Sequence, residues 1–525
     1  MADRKPRVWQ NKGFIPFRLE VLTPVFIGSG DTLSPLEYVI RREGSKARLC
    51  RIDLQSWLME HAADQSVQNV IATGDIARIR RMLDEKLDEN IYAISSSPIE
   101  DVTLADELRR AFGGQQNARG GFQKDKTGDV DAALRNPVDS CLYIPGSSLK
   151  GAISTPLINW LDKLSPVSLL NAMKQATERR MENRLIAKQM EKMFGSISDH
   201  AMQALKVSDV VAPFAACAVV RAKERSRKPD KKGTPKKPCE VILPGSGEMW
   251  GRLMLDSAGG TPCITLPNGT NIPLPDIIRH CNAFYGKRFL EEKNKFYSLP
   301  HLREVSTALR DVEARVLALD GQTLLLRVGH YSHVECVTVE NNQPQTRKGK
   351  NGSPMPFGTT RTLANGKLPF GWVLLHFCSM AEYEKGLEKA EALRRAAVHE
   401  QTQHLLHLRQ KAEARAEQAV TLARQKEARQ LADAQRAAEE KRKQQELAQR
   451  MAELSPEEAR LLQLAVAPSE ALSMEIYKEM HGWNPEMQCK AAEALRDCWR
   501  ALGKWSGKQS EKQKAKVKEV AALLA

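Results

Sequence analysis

No apolar run in this chain approaches the ~20 residues that span a bilayer, so no membrane-crossing helix is expected. The ten cysteines form no CxxC pair. That removes the usual spacing of a structural zinc site or a dithiol redox motif, and the scattered thiols read as reduced side chains of a cytoplasmic protein. There is no GxxxxGK[ST] loop, so nucleotide hydrolysis has no support, and no HExxH pair to hold a catalytic metal. The opening MADRKPRVWQNKG carries charge but no apolar stretch, so no secretory signal is expected. Proline is missing from Glu382 to Glu453, and glycine occurs there once, at Gly386.

What is present is positive charge. The net charge is +15 over 525 residues. Residues 381–525 carry 26 Lys and Arg against 23 Asp and Glu, which leaves 53 against 41 in residues 1–380. A basic globular body with a near-balanced tail suits a polyanion bound on the body, nucleic acid before other partners. A hydrophobic fraction of 42% and this length allow two or three domains with real cores.

Along the chain, Phe17, Leu19 and Val21 alternate with polar residues and predict a strand that ends at a flexible corner, Gly28-Ser29-Gly30. Residues 36–40 and 47–52 read as strands, 54–62 and 76–87 as helices. Residues 113–137, rich in Gly, Asn, Gln and Lys, read as a long mobile loop. Residues 221–238 hold nine Lys or Arg against one Glu and one Asp, and predict a disordered basic loop. Residues 275–319 read mostly as helix, 323–328 as a strand, 341–369 as a polar loop and 370–377 as a last strand. Ala, Glu, Gln, Arg and Lys dominate from 382 to 453, which predicts a long helix or helical hairpin with a weak coiled-coil seam. Ser455-Pro456-Glu457-Glu458 is a helix start, and Trp483, Trp499 and Trp505 are candidate core residues of a small helical tail.

One segment carries more chemistry than the rest. In YIPGSSLKGAISTPL (143–157) a strand end meets a Pro-Gly corner, two serines able to cap a helix, and an apolar-periodic run. A helix start presents unpaired N–H groups and partial positive charge, so Gly146, Ser147, Ser148 and Lys150 could receive a phosphate. An ordinary capped helix after a strand reads the same way. His330, His333 and Cys336 (HYSHVEC) invite a zinc reading, but a fourth ligand and paired spacing are missing. A histidine there could instead serve as general acid or base in phosphodiester cleavage, or stack on a base. Asp31 could polarise a 2′-hydroxyl, hold a metal or close a turn.

LTPVFIGSG (22–30), YIPGSSLKGAIST (143–155) and RVGHYSHVE (327–335), together with MFGSIS…LKVSD (193–209) and ILPGSGEMWGRLMLD (242–256), resemble the RAMP superfamily of CRISPR effector proteins. With TTRTL…LPFGWVLL (359–375) following late, the order of motifs is most similar to the fifth, CRISPR RNA 3′-end-capping subunit of type III-A (Csm) complexes. The resemblance covers residues 14 to about 378. It implies an α+β protein of two ferredoxin-like (RRM-type) domains, here 1–260 and 261–380. A long helix or hairpin (381–454) and a small helical tail (455–525) would follow as a C-terminal helical or coiled-coil extension without a counterpart in the family. It implies RNA binding without cofactor, metal or catalytic residue, with CRISPR RNA, other RAMP subunits and target RNA as partners. The RNA-binding set so implied is Gly28, Ser29 and Gly30, then Gly146, Ser147, Ser148 and Lys150, then Gly329 and His330 in a late loop poorer in glycine than the family's. Arg327, Arg347, Lys348 and Arg361 would add charge from the late loop, and Arg119, Lys124 and Lys126 would reach across guide–target pairing. A RAMP endoribonuclease using His330 or His333 is the alternative.

Overall fold

The computed structural model describes residues 13–62, 64–111, 128–165, 168–169, 179–340, 358–507 and 510–524. Arg119, Lys124, Lys126, Arg347 and Lys348 lie outside them. Contacts divide the chain into residues 1–419 and 420–525.

In the first unit, the alternation at Phe17, Leu19 and Val21 does produce a strand, Gly13–Val21, with all three side chains buried. It lies inside an antiparallel sheet between Met249–Ala258 and Trp372–Phe377, and Thr323–Arg327 pairs beyond the latter. Strands from both sides of residue 260 therefore share one sheet, and the boundary expected there falls inside it. Two helices, Gly146–Leu164 and Leu274–Glu292, pack into its core through Leu149, Ile153, Leu157, Cys281, Tyr285 and Phe289. Each such side chain stabilises by about 1.5–3 kcal/mol when fully buried. The Tyr285 hydroxyl donates to the Ala152 carbonyl at 2.9 Å and locks the two helices together. Asn282 spans the end strand, donating to the Thr323 carbonyl and accepting from the Leu325 amide, both at 2.8 Å. Those bonds occupy polar groups that an open sheet edge would leave free.

The second sheet runs Gly28–Leu33, Val130–Ala133, Cys239–Ile242, Cys217–Val220, Ala93–Ile99, Lys46–Ile52, Tyr38–Glu43. Two apolar clusters pack on it, one including Trp57 and Leu83 from helices Leu54–Glu60 and Ile76–Lys86, the other Leu104 and Leu108 from Val102–Arg110. The glycine corner thus begins a strand of this sheet instead of closing the first one. Residues 22–27 cross between the sheets, tied by Leu22 and Thr23 amides to the Trp372 carbonyl and by paired bonds between Val25 and Ile242. The expected loop 113–137 contributes the strand Val130–Ala133.

The basic segment 221–238 is not a disordered loop: Ala222–Ser226 and Lys232–Pro235 pair with each other, and the former pairs with Thr360–Ala364. Charge repulsion is relieved because Arg221 bonds Asp101 and Glu107, and Arg225 bonds Glu304. The uninterrupted run after 380 is a single helix, Met380–Ala452, rather than a hairpin.

The second unit contains the rest of that helix from 420 and a bundle of Pro456–Val466, Glu470–Glu479, Pro485–Ala501 and Glu511–Ala522. Ser455 and Glu458 form the reciprocal capping box expected of their spacing. Trp499 is fully buried, with its indole N–H on Ser473 Oγ, and Trp483 and Trp505 pack around the same core.

Candidate nucleic-acid interface

Three of the motifs, far apart in sequence, meet at one open cleft. Its walls include Gly28, Gly30, Ser148, Gly329 and His330, with Asp31 and Asp131 at its acidic side. The late loop reaches the first glycine segment through backbone bonds. The His330 amide donates to the Phe26 carbonyl at 2.8 Å, and the Gly371 amide to the Pro24 carbonyl at 2.9 Å. Gly329 has φ +81°, and a Cβ there would lie 2.4 Å from the Phe26 oxygen. The position accepts only glycine because two backbones approach at a left-handed turn. His330 is exposed; its ring sits edge-on to Phe26 and Tyr331 at 5.8 and 4.3 Å. Ser29 Oγ donates to the Ala132 carbonyl and accepts from the Asp31 amide, so it is the Ser29 hydroxyl that closes the turn at Asp31. Lys237 lies 4.0 Å from Asp131 and 3.5 Å from Asp129, which offsets part of the acidic wall.

The corner helix starts differently from the reading of its serines. Pro145 is the N-cap, and Ser147 and Ser148 lie within the first turn without capping it. Asp209 caps instead, its carboxylate accepting the Gly146 amide at 2.7 Å. Gly146 is fully packed: a Cβ would fall 2.0 Å from the Val207 carbonyl oxygen. Its smallness serves the close approach of strand Lys206–Val207. Ser148 faces the cleft, whereas Lys150 faces a second hollow beside His200.

Arg327 and Arg361 do not line the cleft. Both are buried and bound to the buried Glu292, at 2.8 and 2.7 Å, and Arg361 also holds Glu335 at 2.8 Å. Arg327 lies 4.9 Å over the Trp372 ring and Arg361 3.7 Å over Phe296. Burial works to raise the Glu292 carboxyl, but Arg327 and Arg361 overcome it and hold the group at about 2. Strand alternation and the apolar run around Arg327 put its side chain inward, where a charge needs a partner. His333 also turns inward, with φ +60° and its Nε2 buried without a hydrogen-bond partner. Burial first, and then Arg327, keep its ring neutral down to about 3. Cys336 Sγ accepts from Arg327 Nη1 at 3.6 Å and is buried. The three residues of HYSHVEC therefore do not converge.

Sequence reasoning missed a second buried carboxylate. Glu240 is wholly buried between Arg51 and Arg135, at 2.7 and 2.9 Å, and accepts the Ala133 amide at 3.1 Å. It fixes the strand carrying one wall of the cleft. No local spacing links residues 51, 135 and 240. Lys206 was also missed, although it sits in the LKVSD motif.

A family model described as the RAMP superfamily matches residues 18–251. The matched segment is a little under half of the chain and takes in Gly28, Ser148 and the strand Cys239–Ile242. Among curated proteins none matches its sequence. Among solved structures, a chain of "Cryo-EM structure of Csm-crRNA-target RNA ternary complex in type III-A CRISPR-Cas system" is 18% identical, covering 69% of this chain and 100% of its own, with a TM-score of 0.45. The crystal structure of T. onnurineus Csm5 is 17% identical, covering 68% and 99%, with a TM-score of 0.44. Among the described residues, no helix is long and apolar enough to cross a membrane.

Proposed function

We propose that this chain is a non-catalytic RNA-binding subunit of a type III CRISPR ribonucleoprotein. It would hold the guide strand by its backbone near the 3′ end, and support the maturation of that RNA and the assembly of the complex with neighbouring RAMP subunits. The observation that carries the reading is the convergence of Gly28, Gly30, Ser148, Gly329 and His330 on one cleft, in a chain whose residues 18–251 match the RAMP superfamily model. Backbone amides and small side chains at such a cleft grip phosphates and sugars, and position a strand without reading its bases.

Ser148→Glu tests it. At the third position of the helix a carboxylate stabilises the helix by about 0.3–1 kcal/mol, yet it repels a phosphate in the cleft. The variant is expected to melt no lower than the parent and to bind single-stranded guide RNA about tenfold more weakly at low salt, the gap closing as salt rises. Equal affinity across a salt titration would sink the proposal.

His330 favours a second reading, because it is exposed in the same cleft. As a general acid or base it would let a 2′-hydroxyl attack the adjacent phosphate. Incubating the protein with repeat RNA in EDTA and seeking 2′,3′-cyclic phosphate ends, lost in His330→Ala, decides between the two.

A further inference from the structure

Beside the cleft lies a second hollow of about 370 Å³, walled in part by residues of the 143–157 and 193–209 segments. Ser154 and Ile158 of the corner helix form one wall, Met190 and Phe194 of helix Arg179–Phe194 another, and Ile197, His200 and Met202 the third. Ile197 is 92% exposed, a large apolar side chain left in water at the mouth. Phe194 and His200 stack with ring centroids 5.3 Å apart and planes within 9°. His200 Nδ1 accepts the Met202 amide, so the neutral ring carries its proton on Nε2.

The polar end of the hollow is cationic. Lys150 lines it, and Lys206 is close enough to act on Lys150. Burial and then Lys206 lower the Lys150 ammonium, and burial and then Lys150 lower His200. Among the described residues no carboxylate pairs with either lysine. The Lys150 ammonium at the edge of an apolar hollow, with Lys206 near enough to act on it, lacks a counter-charge that an anion would supply. Ser154 Oγ is bonded to the Lys150 carbonyl and Gln203 Nε2 to the Ile197 carbonyl, so these polar groups are already engaged.

We propose that this hollow takes one unpaired nucleobase of the bound RNA, seated among Ile158, Ile197 and the His200 ring, with its phosphate between Lys150 and Lys206. The inference rests on the RNA-binding reading above and adds a subsite to it. An apolar, aromatic-edged seat with few free polar groups holds any base by stacking and shows little preference among the four. An apolar side chain of a neighbouring protein would fill the same groove but would not answer the lysines.

The test uses the full chain and a short single-stranded RNA in which 2-aminopurine is moved along the sequence. One position is expected to change fluorescence on binding. Ile197→Glu, at a side chain too exposed to matter for folding, should abolish that change and weaken binding about tenfold. Removing the base at the same position should match that loss and add nothing to it in the variant. Lys206→Ala should lower the slope of log affinity against log salt by about one. If the parent binds RNA while no position responds and Ile197→Glu binds equally well, the subsite is wrong and the RNA reading stands. Ile197→Glu that keeps RNA but loses a neighbouring subunit from the complex assigns the groove to protein and overturns the proposal. If the parent binds no RNA, the underlying reading fails with it.

Discussion

At the scale of single residues, the buried charges around the late loop decide how the protein responds to acid. Glu292, Arg327, Arg361, Glu335 and His333 are brought together from three separate segments. Glu292 is held at about 2, so its contribution is present above the ordinary carboxyl value of 4.5 and is lost as pH falls toward 2. His333 is a base whose folded value is depressed from 6.5 to about 3. The unfolded chain then binds the extra proton, and stability is lost as pH falls below 6.5. Both groups act in the same direction, over different ranges. Urea unfolding should show stability dropping by on the order of 2 kcal/mol from this histidine between pH 6.5 and 4.5. His333→Gln should flatten that range and leave the steeper loss below it. An unchanged slope there would show that the ring is not held neutral. Arg327 and Arg361 illustrate why counting basic residues overstates an RNA surface: their charge is spent inside.

At the scale of elements, local chemistry was readable where it is self-contained. The box at Ser455 and Glu458 needs only three residues of separation, and the sequence spacing names it. Ser455→Ala should cost the helical tail about 1 kcal/mol, seen as a lower midpoint for that unit in thermal unfolding, with Glu458→Ala adding little once the serine is gone. The corner at 145–150 shows the opposite case. Strand, corner and helix were legible from the apolar run after the glycine, yet the cap came from Asp209, more than sixty residues away. The motif's side chains then divide between two hollows, since Ser148 and Lys150 lie on different faces of one helix. The strand at 28–33 was read as a flexible corner closing the first strand because nothing local says that residues 22–27 cross from one sheet to the other. The strands at 222–226 and 232–235 were missed because high charge suggested solvation, and only Asp101, Glu107 and Glu304 make ordered pairing tolerable there.

At the scale of the whole molecule, the basic excess sits in residues 1–380, while the tail has its own core around Trp499. Calorimetry of the full chain should therefore show two transitions. Removing residues 453–525 should delete one of them and leave RNA affinity and its salt slope unchanged; a loss of affinity would place part of the RNA surface on the tail. Composition and periodicity alone determined the class of the molecule: an α+β basic body, a single uninterrupted helix or hairpin after 380, and a capped helical tail. These follow from properties of neighbouring residues, namely alternation, helix propensity and turn chemistry, which act over a few positions. Tertiary structure alone decided that strands on both sides of residue 260 share a sheet, that Gly28, Ser148 and His330 share a cleft, and that Arg327, Arg361 and Glu240 are buried rather than lining it. Those are contacts between residues separated by a hundred positions or more, or charges whose burial depends on them. No local pattern encodes them, because the free energy of pairing a buried ion is set by which distant partner the fold delivers.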